Sequence, residues 1–132
     1  MSQDLASTLA ASPRPGTVTA IGVMTLVNGI MNVLWALGLT LAMVLGTFEF
    51  GLLCVPVTIL PLVLGVFEII YAARLMSNPP KPMKPAQAIA FMEICCILAG
   101  NVLSLVIGML IFVFYSQPEV QGYFTYINAE TS

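Results

Sequence analysis

GVFEIIYAARL, residues Gly65–Leu75, reads as lipid-soluble helix down to its closing Arg74, with one exception: Glu68 sits in its interior. AFMEICCIL, residues Ala90–Leu98, repeats the pattern with Glu93. The surrounding sequence explains why these acids matter. No charged residue occurs from Pro15 to Phe48, from Phe50 to Phe67, or from Ile94 to Pro118. An uncharged apolar run of about 18 residues or more is a candidate for a membrane-spanning helix.

The composition agrees. The chain has 132 residues, 59% of them hydrophobic and 8% charged, where soluble domains carry roughly 25% charged residues. A water-soluble domain this small leaves much of its surface exposed and could not hide so much apolar area. Length allows one domain. With four basic residues against six acidic ones, nucleic acid is not an expected partner. The chain lacks histidine, the commonest general base and metal ligand. Cys54, Cys95 and Cys96 form neither a C-x-x-C pair nor a zinc spacing and are read as small apolar residues. No nucleophile–base pair, phosphate loop or metal cluster is evident, so the expectation is a protein that is not an enzyme and holds no cofactor.

The expected fold is all-α: three transmembrane helices in an antiparallel bundle, spanning about 17–46, 52–76 and 86–115. Backbone groups in lipid must be satisfied within their own segment, which makes each span a helix. At about 1.5 Å per residue the first and third would be near 45 Å and would tilt or protrude. Residues 1–16 are read as a flexible tail without the basic start of a secretory signal, with Thr17 as the cap of the first helix. TFEFG (Thr47–Gly51) is read as a tight hairpin, and SNPPKPMKP (Ser77–Pro85) as a stiff proline-rich connection. Pro56 and Pro61 are expected to kink the second span or leave its start irregular. Arg14, Arg74, Lys81 and Lys84 then fall on one side of the membrane, which puts the N-terminus in the cytoplasm and the C-terminus outside. Residues 116–132, with Val120, Tyr123, Phe124 and Ile127 on one stripe and Tyr115 and Tyr126 nearby, are read as an interfacial aromatic anchor. The expected location is the plasma or inner membrane, crossed several times.

Within that frame the polar residues align. Glu68 precedes Met76 by eight residues and Glu93 follows Ala86 by seven, so both lie about 11–12 Å from the basic connection. Asn32 and Asn101 share a deeper level, with Asn28 between. Asn28, Asn32, Ala36 and Thr40 repeat at i+4. Pro61, Gly65, Glu68 and Ala72 form a second stripe, and Glu93, Gly100, Asn101, Ser104 and Gly108 a third. Small residues mark close helix contact in membranes, and asparagine bridges helices. Gly38, Ala42 and Gly46 form a separate small-residue row suited to a second copy. Trp35 is read as a packing residue.

An ionised carboxylate in lipid costs several kcal/mol, so protonated acids are expected, two of them at one depth sharing a proton. Two readings stand. Protonated Glu68 and Glu93 could lock the bundle through Asn28 and each other. Alternatively, they could serve an oligomeric proton or cation pathway, because ionisable groups inside spans are functional candidates.

AIGVMTLVNGIMNVLWALG (Ala20–Gly38), a short connection and LGVFEIIYAARL (Leu64–Leu75) resemble the first two spans of the membrane-spanning four-domain family, which includes the B-cell marker and the Fc-receptor β subunit. The Asn28–Gly29 step and the small-residue-rich ILAGNVLSLVIGML (Ile97–Leu110) are similar to that family's first and third spans. The resemblance implies a non-enzymatic oligomer that associates with other membrane proteins and in some cases affects ion conductance. The sequence departs from the family in having three apolar blocks, no large cysteine-bearing loop, and glutamates where the family has weaker polar groups. PEVQGYF (Pro118–Phe124) is similar to the ends of small prokaryotic membrane proteins. The expected role is structural: a homo-oligomer or the accessory subunit of a larger membrane complex, with the lipid bilayer as its solvent.

Overall fold

A computed structural model describes residues 14–46 and 51–129, and every regular element among them is helical. Residues 1–13 of the expected tail, 47–50 of the expected hairpin and 130–132 lie outside the described residues.

Helix α1 covers Gly16–Gly46 and α2 covers Gly51–Leu75. Both match the expected spans to within a residue, and both are long and apolar enough to cross a membrane. Pro15 opens α1, its carbonyl accepting from the Thr19 N–H at 3.1 Å. Thr17 is not the cap: its hydroxyl donates instead to the Glu119 carboxylate. α2 runs unbroken through Pro56 and Pro61, so the irregular start expected there is absent.

α1 and α2 pack along most of their length, and their closest approach is set by two glycines. A Cβ on Gly65 would lie 2.6 Å from the Gly29 carbonyl oxygen, and a Cβ on Gly29 would lie 2.8 Å from that of Gly65. Real Cβ atoms cannot occupy either position, so the two backbones touch only because both residues are glycine.

The third apolar block is not one helix. α3 covers Gln87–Cys95 and continues as a 3-10 turn over Cys96–Ala99, and α4 covers Val102–Tyr115. Between them Gly100 adopts φ +76°, the left-handed conformation that glycine takes without penalty. The Gly100 N–H bonds the Ile97 carbonyl at 2.9 Å, and the Asn101 N–H bonds that of Cys96 at 3.2 Å. Those 5→2 and 6→1 bonds are a Schellman stop. Asn101 then caps α4, its side chain accepting from the Ser104 N–H at 3.1 Å. One helix therefore ends and the next begins within two residues.

α3 and α4 run antiparallel. A Cβ on Gly108 would lie 2.7 Å from Glu93 Cβ and 2.8 Å from the Ala90 carbonyl oxygen. At the open end, the Ala86 N–H and the Tyr115 hydroxyl both donate to the Tyr71 hydroxyl, at 3.2 and 3.0 Å. The pair is a helical hairpin with its tip at Gly100–Asn101. Each arm is about 21 Å long by helical rise, short of the roughly 30 Å hydrocarbon core. The expected continuous helix over 86–115 is thus corrected, and Gly100 is a turn residue rather than a helix-packing one.

α5, Pro118–Ala129, is bent by 72° from α4. Val120, Tyr123, Phe124 and Ile127, the stripe expected to face an interface, are buried against Val18, Ile21, Leu75, Ala90, Ile111 and Tyr115. Phe124 makes edge contacts with Tyr115 and Tyr123 at centroid distances of 6.1 and 5.9 Å. Arg14 donates to the Ser77 carbonyl at 2.7 Å and to the Tyr123 hydroxyl at 3.5 Å, while Asn128 donates to the Met83 carbonyl at 2.9 Å. The start of α1, the proline-rich connection and α5 therefore meet at one end of the bundle.

Gly65→Ala is expected to lower stability by about 1–3 kcal/mol through overpacking at the backbone contact. Gly46→Ala, where nothing lies within 4 Å, should be neutral or slightly stabilising. Equilibrium unfolding of both variants in detergent micelles measures the difference.

Candidate functional site

The site lies where the hairpin tip meets the α1–α2 pair. α1 turns Thr25, Asn28, Gly29, Asn32 and Ala36 inward on one face, the i, i+3, i+4, i+7 spacing of a helix stripe. Glu68 enters from α2, Glu93 from α3 and Ser104 from α4. The side chains of Asn28, Asn32, Glu68, Glu93 and Ser104 are all fully buried, and Asn101 is 6% exposed.

Asn32 is the hub. Its amide nitrogen donates to both Glu68 oxygens, at 3.1 and 3.0 Å. Its carbonyl oxygen accepts from the Asn101 amide at 2.6 Å and from the Ser104 hydroxyl at 2.9 Å. Asn28 works in parallel, its amide donating to Glu68 at 3.2 Å and to Ser104 at 3.0 Å. Its own oxygen lies 3.1 Å from the Ser104 hydroxyl. Asn101 uses both ends of its side chain: the oxygen caps α4 and the nitrogen holds α1.

Glu93 is different. It lies beside the Glu68 carboxyl group and Asn28, yet neither of its oxygens has a hydrogen-bond partner. Gly108 makes the room for it, since a Cβ there would come within 3.1 Å of Glu93 Oε2. The Thr25 hydroxyl, one turn from Asn28 on the same face of α1, is also buried without a partner. Toward the connection the Tyr71 hydroxyl donates to the Lys84 carbonyl at 3.2 Å and receives the Tyr115 hydroxyl.

The five residues expected to form an intramembrane polar cluster, Glu68, Glu93, Asn28, Asn32 and Asn101, are brought together. Ser104, expected only as a packing residue, is a full member of the network. Gly65 and Gly108 stand at tight contacts. Gly38 and Gly46 have no neighbour within 4 Å of a notional Cβ, and Ala42 is exposed beside Gly38 in an open groove. Of the basic residues, Arg14 is held by Ser77 and Tyr123, and Arg74, Lys81 and Lys84 flank the connection, away from the acids. Sequence reasoning left out Gly29, Thr25 and the Tyr71–Tyr115 pair. The Asn28–Gly29 step was the available signal for the first. The tyrosines carried none, because their meeting depends on the hairpin. Among the described residues no group of three or more His, Cys, Asp or Glu side chains could hold a metal ion.

Asn32→Leu strips Glu68 of two donors and leaves the Asn101 amide unpaired. It is expected to destabilise the fold by roughly 3–5 kcal/mol, the range for breaking a buried charged network. Asn101→Ala, which removes a cap and one neutral bond, should cost less, about 1–3 kcal/mol. Denaturant titration in micelles orders the two. Comparison of the chain with family models, with curated proteins and with solved structures finds no match.

Proposed function

We propose that this chain is a multi-pass integral protein of the cell membrane with a structural and interaction role, working as a homo-oligomer or as an accessory subunit of a larger membrane complex. In this reading α1 and α2 cross the bilayer. The α3–α4 hairpin enters and leaves from one side, and α5 closes the bundle on that same side. Arg14, Arg74, Lys81 and Lys84 then face the cytoplasm together, with both described ends of the chain beside them. Non-helical backbone at membrane depth needs its polar groups satisfied; at the Gly100–Asn101 turn both N–H groups bond the preceding helix and the Asn101 side chain bonds α1 and α4.

One observation carries the interaction role. The hairpin stops at the level of Asn32, and nearly half of α1 runs on beyond it. There an apolar groove of about 400 Å3 is lined by Met31, Leu34, Trp35, Gly38, Leu39 and Ala42. Gly38 and the exposed Ala42 line it, and Gly38 and Gly46 have nothing within 4 Å of a notional Cβ, the small-residue pattern by which membrane helices approach closely. A second copy presenting its own α1 row fits this groove. A non-catalytic role is supported by how the polar side chains are spent: Asn28, Asn32, Glu68, Asn101 and Ser104 are bonded to one another. The resemblance to the membrane-spanning four-domain family, an associating and non-enzymatic one, is proposed for α1 and α2 alone, since the hairpin replaces a third spanning helix.

Two measurements test the reading. Fluorescent-protein fusions at the C-terminus and at the N-terminus should both fluoresce and be shielded from external protease; an externally cleaved C-terminal fusion contradicts the topology. Native mass spectrometry in nanodiscs should find an oligomer for the wild type and monomer for Gly38→Leu with Ala42→Leu. A monomeric wild type extracted alone overturns self-association.

A further inference from the structure

We propose that Glu68 and Glu93 form a proton-binding site, holding one proton between two carboxyl groups and exchanging it with the cytoplasmic side past Tyr115 and Tyr71. The inference does not depend on assembly, because the site is complete within one chain.

The hydrogen-bond pattern separates the two acids. Glu68 accepts three amide bonds, one from Asn28 and two from Asn32, the surroundings of a carboxylate, which is an acceptor at every position. Neither Glu93 oxygen meets a donor at hydrogen-bond geometry and the side chain is fully buried, surroundings that disfavour a carboxylate and suit a neutral acid whose O–H finds its acceptor in the neighbouring carboxylate. A single proton satisfies both. Two protons would set a hydroxyl among the amide donors on Glu68. No proton would place two like charges side by side in apolar surroundings with no basic group facing them.

The groups facing the pair from each neighbouring element bear this out. α1 offers Thr25, Asn28 and Asn32, none of them titratable. α2 offers Tyr71 besides Glu68. The 3-10 turn offers Cys96, fully buried, and α4 offers Ser104 and Tyr115. None supplies a positive charge.

The ligand set selects the occupant. Among the described residues no group of three or more His, Cys, Asp or Glu side chains could hold a metal ion, whereas a proton needs only the two carboxyl groups. The transfer itself conserves charge. The Glu93 acid passes its proton to the Glu68 carboxylate, leaving Glu93 as the carboxylate, and the reverse step restores the starting state. Tyr115 lies two turns beyond Gly108, the residue packed on Glu93, on the same face of α4, and its hydroxyl donates to that of Tyr71, which reaches the Lys84 carbonyl on the connection. That chain of hydroxyls is the route to water.

Infrared difference spectroscopy on the full chain in micelles tests the proposal. At neutral pH the wild type minus Glu93→Gln spectrum should contain the C=O stretch of one protonated carboxyl per chain, shifting to lower frequency in D2O. Glu68→Gln should keep a protonated acid at Glu93 with an altered frequency, since its anionic partner is gone. Tyr115→Phe should slow the D2O shift. No protonated carboxyl in the wild type, or two per chain, overturns the shared proton. An unchanged exchange rate in Tyr115→Phe overturns the route. If Glu93→Gln fails to fold, the wild-type band and its response to Glu68→Gln and Tyr115→Phe decide the matter.

Discussion

The Asn32 side chain is the interaction on which the rest depends. It joins three elements at a depth where water cannot substitute for any of them: both Glu68 oxygens from α2, and Asn101 and Ser104 from the start of α4. An unmade hydrogen bond in such surroundings costs the full desolvation of the group. Each of these partners is therefore tied to the others, and the hairpin tip has one seat on the α1–α2 pair.

That seat explains the break in the third apolar block. A continuous helix over 86–115 would satisfy its own backbone but would separate Asn101 from its cap position. The Gly100–Asn101 turn frees backbone groups at the tip, and the Schellman bonds, the Asn101 cap and the amide link to Asn32 take them up. The polar centre and the chain reversal stabilise each other, because Asn101 belongs to both. Gly108 completes the arrangement by letting α3 lie close enough to bring Glu93 beside Glu68.

At the other end of the hairpin the same chain reversal places α5 next to the start of α1. The stripe Val120, Tyr123, Phe124 and Ile127 is amphipathic whichever surface it meets, lipid or protein. Only the return of α4 to the Arg14 end supplies the apolar partners Val18, Ile21 and Leu75. The outward residues of α1, among them Val23, Val27, Ile30, Leu34, Leu37 and Leu41, are 46–60% exposed. An apolar exterior around a polar centre is the inverse of a water-soluble domain and suits a lipid solvent.

Much of this was legible in the chain itself. Uncharged runs and composition identified helices of membrane length, and α1 and α2 start and stop within a residue of where proline, charge and glycine placed them. The i+4 rows put Asn28, Asn32, Glu68, Glu93 and Asn101 on shared faces, because side-chain direction in a helix follows from sequence spacing alone. What spacing could not reveal was the fold-back at Gly100. A glycine followed by asparagine inside an apolar run is equally compatible with a continuous helix, and the choice rests on a bond to Asn32 some seventy residues away. The bonding of Glu68, the isolation of Glu93, the tyrosine pair and the meeting of Arg14 with α5 all follow from that one reversal. Local sequence set the helices and their polar faces; the tertiary structure decided their direction, since only packing determines which buried partner each polar group can reach.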